Sequence, residues 1–115
     1  MHTVVETPAY LRSAKAVGMT DDEMMDAKLT ISANPQAGVL IKGSGGCRKV
    51  RIAGRGKGKS GGYRVVTYYG GDRVPVFLIA VLSKGSDANF TDAQVNQLAV
   101  VAATLVPSMG PRAAG

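Results

Sequence analysis

Tryptophan is absent from the sequence, and histidine and cysteine occur once each, as His2 and Cys47. One cysteine excludes an intramolecular disulfide, and with a single histidine it leaves too few ligands for structural zinc. Aromatic residues are only 5% of the chain, so Val, Ile, Leu, Ala and Met have to fill the interior. Long apolar runs are missing too. The longest, 74–82 and 98–106, fall far short of the about 20 residues that cross a bilayer. The opening residues Met1–Glu6 do not show a basic stretch followed by an apolar one. Together with the lone cysteine, this sets the expectation of a cytoplasmic protein with no membrane contact.

Acidic residues are also missing from one long stretch. Between Lys42 and Arg73 the chain carries Lys42, Arg48, Lys49, Arg51, Arg55, Lys57, Lys59, Arg64 and Arg73, against Asp72 alone. Glu6, Asp21, Asp22, Glu23 and Asp26 gather instead in the first third. The net charge of +6 is therefore segregated, which points to a face for a polyanion, with nucleic acid first among them.

The 115 residues suit one domain, read here as 1–106, with the proline- and glycine-containing 107–115 as a flexible tail. Thr7-Pro8 has the form of a helix cap followed by proline at the first helical position, and Gly18 closes that helix. Thr20-Asp21-Asp22-Glu23 is a capping-box pattern opening a second helix. Its apolar stripe is read as Met24, Met25, Leu29 and Ile31, and Asn34-Pro35 ends it. The pair is expected to form an acidic helical hairpin.

Beyond it the period changes to two. Val39–Ile41 is a short apolar run and 43–46 a turn. Cys47–Ala53 alternates, with Val50 and Ile52 on one face and Lys49 and Arg51 on the other. Tyr63–Tyr69 is β-branched and aromatic, and Gly70-Gly71-Asp72 follows as a hairpin turn. Val74–Leu82 reads as a central strand buried on both faces, with Pro75 near its start. Thr91-Asp92-Ala93-Gln94 is a further capping box, opening a helix whose apolar face is Val95, Leu98, Val101, Ala102 and Leu105. The expected class is α+β: an N-terminal helical hairpin, an antiparallel four-stranded sheet and a C-terminal helix.

The stretch 54–62, GRGKGKSGG, ends in the Gly-Lys-Ser of a nucleotide-binding P-loop. That identification fails twice. The first glycine of the pattern would fall on Ala53, and a strand follows where the pattern needs a helix. Physically the stretch is a glycine-jointed backbone carrying Arg55, Lys57 and Lys59, followed at once by Arg64 on a strand. Such a backbone approaches phosphates closely while the cations neutralise them. Tyr63, Tyr68 and Tyr69 interleave with the cations and offer stacking surfaces for bases.

RNA cleavage by a histidine pair is excluded here. Lysine serves as a general base where neighbouring cations and burial lower its pKa, and arginine stabilises charge developing on phosphorus. These residue types permit attack of a 2′-hydroxyl on its own phosphate without a metal; they do not establish it.

From Asn34 to Thr91 the sequence resembles the RelE/HigB toxins of type II toxin–antitoxin systems, in particular the HigB branch. The residues that carry the resemblance are Asn34-Pro35, Gly38–Ile41, Gly43–Arg51, the string 56–66 (GKGKSGGYRVV) and the strand ending at Ser83-Lys84. The flanking helices stand where that family has them. The resemblance implies the RelE-like fold and a ribosome-dependent mRNA endoribonuclease that inhibits translation with no metal and no cofactor. It also implies a helix-turn-helix antitoxin encoded nearby, through which alone the toxin would reach operator DNA. By position it matches Lys57, Lys59 and Arg64 to the family's catalytic and phosphate-binding residues, and Arg48, Lys49, Arg51 and Lys84 to its flanking cations. With the basic loop and stacking surfaces read above, the candidate site is Lys57, Lys59, Arg64 and Lys84 for catalysis, with Arg48, Lys49, Arg51, Arg55, Tyr63 and Tyr68 contacting RNA. One position departs: relatives often have tyrosine where this chain has Leu82, and Gly85-Ser86-Asp87 follows Lys84. A catalytically weak or inactive relative that binds ribosome, RNA or antitoxin without cutting is the alternative.

Overall fold

The computed structural model describes residues 2–54, 62–83 and 90–105. The tail expected at 107–115 and the segments 55–61 and 84–89 lie outside them. The elements are strand β1 (Val4–Glu6), helices α1 (Pro8–Ala16) and α2 (Asp21–Ala33), and strands β2 (Val39–Leu40), β3 (Cys47–Ile52), β4 (Tyr63–Tyr69) and β5 (Val76–Ser83). Helix α3 (Asp92–Leu105) follows. No helix among the described residues is long and apolar enough to cross a membrane.

Local chemistry starts each helix. The Thr7 hydroxyl accepts from the Tyr10 N–H at 3.1 Å and donates to the Leu78 carbonyl at 2.8 Å, so one side chain caps α1 and ties it to β5. At α2 the Glu23 N–H donates to the Thr20 hydroxyl and the Thr20 N–H to the Glu23 carboxylate, closing the expected capping box. Thr91 and Gln94 repeat this at α3.

The sheet corrects the reading in two ways. It has five strands in the order β1-β5-β4-β3-β2, and it is mixed: β1 runs parallel to β5, with Val4 opposite Val76 and Glu6 opposite Leu78. The other pairs are antiparallel. Strand β5 is thus interior, second from an edge, and β4 takes the centre. A strand of three residues is too short to show an alternation, and its partner lies far along the chain. The helices also do not pack chiefly on each other as a hairpin. Helix α1 lies against β5 and α2 beside β1. The sheet face beneath them offers Val50, Ile52, Val65, Val76, Leu78 and Val81, a larger apolar plane than either helix presents to the other.

The buried row of α2 differs as well. Ala27 and Ile31 face the core, Met24 packs against it, and Glu23 is buried with them. Met25 and Leu29 remain 51% and 49% exposed. A carboxylate in the row that faces inward breaks the apolar pattern from which the stripe was read.

A bulge sets the two faces of β5. Val66 lies opposite Ala80 but Thr67 opposite Leu78, leaving Ile79 as the extra residue. Val76, Leu78 and Val81 consequently share the face under α1 and α2, although strict alternation would put Val81 on the other. Ile79 joins Ile41, Cys47, Val66 and Ala102 in a smaller core beneath α3. Val95, Leu98, Val101 and Leu105 of α3 close that core, as the helical period required.

Candidate nucleic-acid interface

Residues directly opposite in an antiparallel pair share a face, so the register assigns the cations. Arg51 lies across from Arg64, Lys49 across from Val66, and Arg64 across from Leu82. Lys49, Arg51, Arg64 and Leu82 therefore stand on the face that α3 covers in part. Arg51 is exposed, while Lys49 and Arg64 are half-buried. Two arginines directly across a sheet concentrate positive charge on this face, and arginine is suited to phosphate.

Phe90, just before the cap of α3, borders the same face. The Lys49 ammonium sits 5.5 Å from its ring centroid, within cation–π range. Sequence reasoning passed over Phe90. The available signal was the hydrophobic staple, an apolar residue before an N-cap paired with one four positions after it; Phe90 and Val95 both pack on the α3 core.

Two residues read as RNA contacts fall on the opposite face. Arg48 lies across from Thr67, and its Nη1 donates to the Gln36 carbonyl at 3.3 Å. The Tyr63 hydroxyl donates to Glu23 Oε1 at 3.0 Å. Loss of hydration raises the Tyr63 pKa first, and the bond and charge of Glu23 add to it, so the phenol stays a neutral donor. Tyr68 has the right face but lies at the other end of β4 from Arg64, about 13 Å along the strand. Its ring packs over Gly46, where a β-carbon would come within 3.0 Å of it. Tyr69 donates to Asp72 at the β4–β5 turn. Arg55, Lys57, Lys59 and Lys84 lie outside the described residues.

The roots of the 55–61 segment are described. A β-carbon on Gly54 would sit 3.3 Å from the Gly62 nitrogen, so departing and returning chains nearly touch. Gly62 has φ +126°, and a β-carbon there would meet the Ile52 carbonyl at 3.0 Å. The segment thus leaves and rejoins the sheet at one point, directly before Tyr63 and Arg64.

Known proteins share the fold. Over residues 2–109 the chain matches the family described as the RelE toxin of the RelE / RelB toxin–antitoxin system. Among solved structures it is similar to E. coli toxin RelE, in the free state of a double arginine-to-alanine mutant, with a TM-score of 0.57. The two share 20% sequence identity, and the match covers 87% of this chain and 95% of that one. The cationic strands, the mixed sheet and the match over almost the full length lead to one assignment: the chain belongs to the RelE toxin family of toxin–antitoxin systems.

Proposed function

We propose that this protein is a ribosome-dependent mRNA endoribonuclease of the HigB branch, which inhibits translation and is neutralised by a helix-turn-helix antitoxin. The observation that carries this reading is the Arg51–Arg64 pair on one sheet face with Lys49 beside it. It stands at the root of a segment bearing Arg55, Lys57 and Lys59. In the reaction, the 2′-oxygen bonds to the adjacent phosphorus while the bond from phosphorus to the 5′-oxygen breaks. A lysine among Lys57, Lys59 and Lys84 takes the 2′-hydroxyl proton, and a protonated cation returns one to the leaving oxygen. Arg64 and Arg51 hold the charge that builds on the phosphate, without metal assistance. Contact with operator DNA runs through the antitoxin, and the site of action is the cytoplasm.

Induced expression tests this. Growth arrest, message cleavage inside translated codons and relief by the co-expressed antitoxin are expected, with Arg64→Ala and Lys57→Ala each lowering toxicity in a folded protein. A second reading, binding without cutting, is favoured by one observation: Leu82, with no group for proton transfer, lies directly across from Arg64. Growth arrest with intact messages would select it.

A further inference from the structure

Glu23 is a carboxylate only 4% exposed in a protein of net charge +6, and the RNA site does not account for it. Its Oε1 accepts from the Thr20 N–H at 2.8 Å and from the Tyr63 hydroxyl at 3.0 Å. Its Oε2 lies 3.5 Å from where a β-carbon on Gly54 would stand. Burying a carboxylate is costly unless its acceptor capacity is used, so this placement calls for a reason beyond capping. An exposed glutamate would close the same capping box.

The reason lies in what converges on it. Gly54 is the last described residue before the 55–61 segment, and Gly62-Tyr63 are the first after it. Tyr63 pairs with Ser83, the last residue of β5 and the one before the 84–89 segment that opens with Lys84. The exit to 55–61, the return from it and the end of β5 therefore all lie next to Tyr63 along the backbone, and its phenol reaches Glu23. Tyr63 also precedes Arg64, whose guanidinium belongs to the opposite face.

We infer that Glu23 is a positioning residue for the cationic site: through its bond to Tyr63, close to Gly54, it fixes the start of β4, on which Arg64 stands, and the described ends between which the 55–61 segment runs. This rests on the function proposed above. Tyr63, read from sequence as an RNA contact, acts from the far face by anchoring and does not touch the nucleotide.

The test uses the full chain with three substitutions. Tyr63→Phe keeps the ring and removes only the hydroxyl; Glu23→Leu removes both acceptors; Glu23→Gln keeps an acceptor for Tyr63 and Thr20 and serves as the conservative rescue. Cleavage of translated message is measured together with thermal unfolding and the rate of tryptic nicking after Arg55, Lys57 and Lys59. Tyr63→Phe and Glu23→Leu are expected to lower kcat between about ten- and hundredfold, the cost of a small misplacement of reacting groups, with KM changed much less. Glu23→Gln is expected to stay within about threefold of the parent, since one such hydrogen bond contributes modestly once an acceptor remains. Tyr63→Phe is further expected to speed nicking while the unfolding temperature holds. Parent-like kcat and nicking in Tyr63→Phe would overturn the inference. If the parent does not cleave RNA at all, the proposed function fails and nicking alone decides: faster nicking at constant unfolding temperature upholds the anchor, and an unchanged rate refutes it.

Discussion

The two faces of the sheet do different work with the same strands. Beneath α1 and α2, eleven buried apolar residues make one continuous core. Beneath α3 the buried set has five members, and the strands soon give way to Lys49, Arg51 and Arg64. Alternation along β3 makes the contrast sharp, with Val50 and Ile52 inward and Lys49 and Arg51 on the other side. If the proposed function holds, stability and RNA binding should therefore be separable by choosing the face.

Leu78 and Ile79 are neighbours in sequence and belong to opposite cores. Leu78→Ala is expected to cost about 4 kcal/mol in urea unfolding, and Ile79→Ala about 2 kcal/mol, because α3 can settle into the space left while the two-helix face cannot. Equal losses would break the comparison.

Next in size is an alkaline effect confined to the large core. Tyr10 is fully buried, its hydroxyl has no hydrogen-bond partner among the described residues, and burial, reinforced by the charge of Glu6, pushes its pKa up to about 12. Folded and unfolded chains both hold the phenolic proton below its ordinary value of 10.0, so stability is insensitive to this group there. Above that value only the unfolded chain loses the proton, and about 2–3 kcal/mol should be lost as pH rises through the folded pKa. Tyr10→Phe should remove this loss and leave neutral-pH stability equal or higher, since an unsatisfied buried hydroxyl goes with it. An alkaline limb that survives in Tyr10→Phe would assign it elsewhere.

The smallest effect sharpens the face assignment. Arg51→Ala should lower the slope of log affinity against log salt for single-stranded RNA by about 0.7, one phosphate contact. Its stability should hold or rise by about 0.2–1 kcal/mol as the opposed arginines are separated. Arg48→Ala, three residues away on the other face, should leave the salt slope untouched. An equal change in both would mean that the RNA wraps the edge of the sheet.

What sequence could disclose follows from how far each signal reaches. Thr7-Pro8, Thr20–Glu23 and Thr91–Gln94 cap within four residues, and all three helices begin where these patterns put them. The alternation of β3 gave the face of Lys49 and Arg51 correctly. The same parity sends Arg48 to the helical side, where charge alone had suggested RNA. Strand β1 stayed hidden because its partner is remote and its length too small for a period. Met25 and Leu29 stay outside the inward row of α2 because Glu23 and Ala27 occupy it, and a strand aromatic such as Tyr63 does not declare which side it serves. Placement of Arg64 beside Arg51 needed the register, which depends on the whole sheet. Lys57, Lys59 and Lys84 are legible as site residues only through the family resemblance.

The parallel seating of β1 also orders events in time. Val4 and Val76 are partners 72 positions apart, and the Thr7 hydroxyl that starts α1 donates to Leu78. Contacts so distant along a chain are slow to close, since loop entropy must be overcome before they stabilise anything. During synthesis the opening strand has nothing to pair with until residue 78 has emerged, and the large core lacks one wall until Val81 follows. Strand β1, made some seventy residues before its partner, cannot be seated until Val76–Leu78 follow.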